Sequence, residues 1–126
     1  MRDLKPQGIP IKIGTDDYGL RFTLNVIDDI QHHFNRSIAE LPKILNEPIE
    51  NYANMRYILT LLVNEDIDCI CDETGEKKPY IDERYLGRHI FDYNAIGSIG
   101  DIIYTAFIQH MPKRNEDAPD PNPKSE

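Results

Sequence analysis

The chain has 126 residues, 40% apolar and 29% charged, with 22 acids against 14 bases for a formal net charge of −8. That length suits one domain with one modest core. The charge argues against a phosphate-backbone binder, which needs basic side chains to displace counterions, and no stretch concentrates more than two adjacent bases.

The opening "MRDLKPQGIPIKIG" lacks the apolar core of a secretion signal. The longest apolar run, "YILTLLV" at 57–63, is too short to span a bilayer. A cytoplasmic protein with reduced cysteines and no membrane partner is the expectation. Residues 1–8 read as a flexible lead.

From there, "IPIKIG" (9–14) alternates Ile9, Ile11 and Ile13 against Lys12, the pattern of a half-buried strand. "GTDDYG" reads as a turn bracketed by Gly14 and Gly19. "LRFTL" (20–24) then places Leu20, Phe22 and Leu24 on one face and Arg21 and Thr23 on the other, which predicts a β-hairpin. The period next lengthens: Leu24, Ile27, Ile30 and Phe34 predict an amphipathic helix over 24–34 with Asp28, Asp29, Gln31 and His32 outward. Ser37 and Glu40 have the spacing of a capping box for a short helix limited by Pro42.

The strongest helix is predicted over 52–64, with Met55, Ile58, Leu59, Leu62 and Val63 as a wide buried stripe. Residues 65–83 hold eight acids and two lysines and read as a solvated loop and helix start. Ile81, Tyr85, Leu86 and Ile90 suggest a short helix interrupted at Gly87. The last helix takes Ser98 as N-cap with Asp101 three residues on, and a buried stripe of Ile99, Ile102, Ile103, Ala106 and Phe107. His110 lies near its negative end and Pro112 stops it. The remainder, with three prolines in "NEDAPDPNPKSE" and Ala118 as its one apolar residue, reads as a disordered acidic tail over 113–126.

Chemistry is hard to find in this pattern. Cys69 and Cys71 are spaced C-x-C with no second ligand pair, which fails for structural zinc. Gly75 at the sixth place of a calcium loop would put Ile70 and Ile81 where carboxylates belong. A disulfide across one residue is strained. The expectation is one cysteine toward the core and one partly exposed, within a connection, "CICDETGEKKPY". His32 and His33 point about 100° apart on a helix and cannot share a metal from one face. "GSIG" is too weak for a phosphate loop. No catalytic, cofactor or metal residue is assigned, and the acidic run has its other use as a docking patch for a basic partner.

The fold expected is therefore α+β, mainly α: a small N-terminal β-hairpin followed by a compact bundle of four to five helices, in a single globular domain over 9–112. That order, "IPIKIGTDDYGLRFTLNVIDDIQHHF", then "NMRYILTLLVNED", then "YIDERYLGRHI" and "IGDIIYTAFIQHM", then a loose polar tail, resembles the tail assembly chaperones of long-tailed bacteriophages and prophages. The resemblance rests on element order and pattern across 9–112. It implies a small, helical, non-enzymatic, cytoplasmic factor of viral morphogenesis that binds the tape-measure protein and recruits tail-tube subunits. It carries no catalytic residues and leaves a homo-oligomer open. Two other readings stand beside it: a head–tail connector or minor tail component kept in the particle, and a small acidic regulator mimicking nucleic acid. Partner-binding residues are expected at Tyr18, Phe34, Tyr104 and Phe107, with Tyr18 in the turn as the most surface-placed. Phe34 and Phe107 lie on core stripes.

Overall fold

In the computed structural model the described residues are 8–90 and 93–110, with side chains described for all of these except 93–96. The lead over 1–7 and the tail from 111 lie outside them.

The hairpin is formed by β1 (Ile9–Ile13) and β2 (Asp16–Leu20), antiparallel, with Ile11 opposite Tyr18 and Ile13 opposite Asp16. This corrects the expected turn over 14–19 and strand over 20–24. Gly14, at φ 64°, lets the chain reverse within two residues, so the polar "DDYG" becomes strand rather than turn. Lys12 and Asp17, directly opposite, pair at 2.9 Å on the solvent side. "LRFTL" is consequently split. Leu20 ends the strand, Phe22 stays buried in the link, and Leu24 is 73% exposed instead of facing the core.

Helix α1 (Leu24–Phe34) has the bounds that the periodicity predicts. Thr23 caps it by accepting from the Val26 amide, and Asn35 in the left-handed region ends it. Its buried residues are Val26 and Ile30, with Ile27 and Phe34 on the flanks. Ser37 then caps a 3₁₀ turn, Ile38–Glu40. No capping box closes there, because Arg36 holds the Glu40 carboxylate at 2.9 Å. In the short α2 (Leu41–Leu45), Pro42 lies in the first turn, where a missing N–H costs nothing.

The central helix α3 runs Asn51–Thr74, ten residues beyond the expected end at 64. The acids of the run do not stop it because several of them have partners. Arg21 meets Asp66 and Glu73, Thr23 donates to Glu65, and the Tyr80 hydroxyl donates to Asp68. Gly75, at φ 81°, terminates the helix by donating to the Cys71 carbonyl at 2.8 Å. Half of "CICDETGEKKPY" is thus helix and only the rest is connection. Cys69 and Cys71 are both half-buried, rather than one in and one out.

The connection is fastened by the Asn64 side chain, which accepts from the Ile81 amide at 2.9 Å and donates to its carbonyl at 3.0 Å. Helix α4 (Glu83–His89) starts at Asp82, which caps the Tyr85 amide. Helix α5 (Tyr93–His110) begins five residues before Ser98, so that serine lies inside the helix and is not its cap. Ile99, Ile103 and Ala106 enter the core. His110 Nδ1 accepts from the Phe22 amide at 3.0 Å, tying the end of α5 to the link after β2. Around α3, the elements β2, α1, α2, α4 and α5 all pack on one apolar cluster. The architecture is α+β and mainly α, a hairpin followed by five helices. No described helix is long and apolar enough to cross a membrane.

Candidate protein-binding surface

Two regions combine concavity with chemically distinctive side chains. The first lies between the hairpin, the second half of α3 and the connection after it, a cleft of 510 Å³ lined by Tyr18, Arg21, Asp66, Ile70 and Lys78 among others. Arg21 is 4% exposed. Its Nε and one terminal nitrogen both reach the same Asp66 oxygen at 2.9 Å, and the other terminal nitrogen stands 3.5 Å from Glu73. Burial disfavours the guanidinium charge, but the Asp66 hydrogen bond and charge outweigh it and hold Arg21 protonated. Gly8 and Gly19 leave the space that the Asp66 carboxylate fills, since a Cβ on either would overlap it.

The groups beside this pair are quiet. Burial, and then neighbouring acids working against Arg21, push the Cys69 thiol up, away from the reactive thiolate. Burial and the hydrogen bond to Tyr85 push Tyr18 up to about 12. Among the described residues no group of three or more His, Cys, Asp or Glu is placed to hold a metal ion. The cleft is a closed charge pair under a strap: Lys78 lies 3.9 Å over the Tyr18 ring and donates to the Asp17 carbonyl at 2.7 Å. Its geometry locks the hairpin to α3.

The second region mixes apolar and polar side chains. Helix α2, the first turns of α3 and one face of α5 wall a groove of 610 Å³, where Pro42, Leu45, Tyr52, Gly97, Gly100 and Tyr104 stand beside Asn46, Asn51 and Asp101. A Cβ at Gly97 or Gly100 would meet nothing within 4 Å, so both glycines deepen an open notch in a helix wall. Tyr104 is 43% exposed, and Ile108, one turn further along the same face, 56%. On the other side of Tyr52 a smaller groove of 240 Å³ continues between α3 and α4, lined by Met55, Arg56, Leu86, Gly87 and Ile90. Ile49, three residues before Tyr52, is 86% exposed. Of these exposed side chains Tyr52 and Tyr104 line the larger groove, and exposed aromatic rings in a concave site favour a contact surface.

Compared with family models, with curated proteins and with solved structures, the chain matches none of them.

The four residues singled out from the sequence fall in three places. Tyr18 is in β2, not in the turn, half-buried under Lys78 and hydrogen-bonded to Tyr85. Its reach outward is spent on its own fold. Phe34 packs edge-on against Tyr57, beside the stack of His33 on Tyr57 at 3.7 Å. Phe107 packs edge-on against Phe22 at 5.4 Å. Only Tyr104 and Phe107 are brought together, 6.1 Å apart on α5; Tyr104 lines the groove between α2, α3 and α5, and Tyr18 the cleft beside the hairpin. Tyr52, Leu45, Gly97 and Gly100 were missed. A signal for the glycines existed, two of them three apart in an apolar helical segment, but the expected start at Ser98 placed them at the helix's edge.

Proposed function

We propose that this protein is a non-enzymatic tail assembly chaperone of a phage or prophage, acting in the bacterial cytoplasm. It holds a helix of the tape-measure protein in the groove beside Tyr104 and helps recruit tail-tube subunits. The observation that carries this reading is the notch at Gly97 and Gly100 next to exposed Tyr104 and Ile108. Glycines on one wall let a partner backbone approach, and an aromatic ridge beside them supplies anchoring area, the usual anatomy of helix-in-groove recognition. A long helical tape measure with apolar faces to shield before assembly is a fitting occupant.

The test is co-expression with a fragment of the tape-measure protein encoded beside this gene. The fragment co-purifies with the wild type and is lost from Tyr104→Ala. A fragment that neither binds nor becomes more soluble refutes the proposal. A connector or minor tail component would persist in purified particles, where mass spectrometry finds it; a chaperone is absent there. The nucleic-acid mimic draws least support, since Glu65, Asp66, Asp68 and Glu73 of the acidic run are engaged by side chains of the protein itself, Asp66 in a buried pair.

A further inference from the structure

Two clefts meet along β2. The 510 Å³ cleft over Arg21 and Asp66 touches the strand at Asp17, Tyr18 and Gly19. A second, of 500 Å³, touches it at Asp16, Asp17 and Tyr18 and is closed on its far side by Tyr80, Tyr85 and Arg88. Asp17, Tyr18 and Lys78 line both clefts, and of these Lys78 alone comes from outside the strand. Its ammonium stands 3.9 Å from the centre of the Tyr18 ring and donates to the Asp17 carbonyl at 2.7 Å. One side chain thus divides a trough that follows the strand from Gly19 to Asp16.

That divider is held lightly. Lys78 is exposed and makes no ion pair among the described residues. A hydrogen bond to a carbonyl and a cation over a tyrosine face near the surface are both modest contacts. The connection that carries it is fastened without it, by Asn64 on Ile81 and by the Tyr80 hydroxyl on Asp68, so the lysine can swing away while the backbone stays in place. Without Lys78 the lining holds the carboxylates of Asp16, Asp17, Asp66, Glu76 and Asp82 against three bases, in a chain of net charge −8. Of those bases Arg21 is committed to Asp66, and Lys12 pairs with Asp17 from outside the lining.

We propose that Lys78 is the built-in occupant of an ammonium site, and that a lysine of an extended, basic partner segment takes its place over Tyr18 and on the Asp17 carbonyl. The ring face and the carbonyl oxygen recognise the charge and the donors of an ammonium, the acid excess favours basic residues beside it, and a trough along one strand suits an extended chain. The site shares no lining residue with the groove beside Tyr104, so it goes beyond the helix-docking reading and stands apart from it.

A labelled glycine–serine peptide with spaced lysines, and the same peptide with glutamates in their place, are titrated against the full chain by fluorescence anisotropy. The lysine peptide binds saturably and the glutamate peptide does not. Lys78→Ala binds the lysine peptide about tenfold tighter, the scale of one charged hydrogen bond no longer competing, a gain that a misfolded variant does not give. Lys77→Ala removes the same charge from the same cleft and gives no such gain. Added to Lys78→Ala, Tyr18→Phe keeps the gain and Tyr18→Leu abolishes it. Equal binding of the two peptides, an unchanged affinity in Lys78→Ala, or the same gain in Lys77→Ala overturns the proposal. Displacement of the peptide by an equal concentration of spermidine overturns the assignment to an extended partner, since the site then reads an amine alone.

Discussion

Arg21 and Asp66, 45 residues apart in the chain, meet at 2.9 Å with side chains only 5% and 6% exposed. The arginine directly follows β2 and the aspartate sits in the second half of α3, so the contact joins the hairpin to the central helix. A cation and an anion this far from water stabilise the fold only as a satisfied pair. Removing one member leaves the other charged and buried.

Asp66→Ala should therefore cost about 3–5 kcal/mol, the scale for stripping one partner from a buried ion pair, read as a lower urea midpoint. Arg21→Met combined with Asp66→Leu should recover most of that loss. A double variant as unstable as the single one shows that the pair does more than cancel its own desolvation.

Gly19→Ala drives a methyl into the Asp66 carboxylate and should destabilise strongly. In an Asp66→Ala background the obstacle is gone, so the same change should cost much less. Chemical denaturation of the four proteins gives the coupling, and additive effects would mean that the carboxylate is not what Gly19 accommodates.

Two other glycines should respond in opposite directions. Gly75 holds φ 81° in open space, so Gly75→Ala loses only backbone ease, about 1–2 kcal/mol for an L-residue in the left-handed region. Gly97 is inside a helix with room around it, so Gly97→Ala should raise stability by about 0.5–1 kcal/mol. If the groove is a docking site, the same methyl should weaken capture of the tape-measure fragment. Thermal melts and co-purification measure the two effects on one protein.

Tyr18 is raised to about 12 by burial first and by its hydrogen bond to Tyr85 second. An unfolded tyrosine titrates near 10, so between those values the unfolded chain gives up a proton that the folded one keeps. Stability from this group is intact below about 10 and is lost as pH rises toward 12. Denaturant midpoints followed through that window should fall less steeply in Tyr18→Phe. An identical slope would remove Tyr18 as the cause.

Local pattern was enough for the class of fold and for several elements. The isoleucine alternation of β1, the three-and-four spacing of α1, and the stripes of α3 and α5 depend on which face of a regular element is apolar, and that is written in neighbouring residues. The sites where the reading failed share a different cause. Arg21 looked solvent-facing and residues 65–74 looked like loop because a charge reads as exposed until its partner is known, and those partners lie more than 40 residues away. Tyr18 looked free for the same reason, its cover coming from Lys78 and Tyr85. Tyr104 was legible as a surface aromatic, but the groove it lines was not, since three helices build its walls. The order and periodicity of the elements were thus determined by the sequence itself; which charges are buried, and which side chains wall a groove, was decided only when packing brought distant residues within a few ångströms.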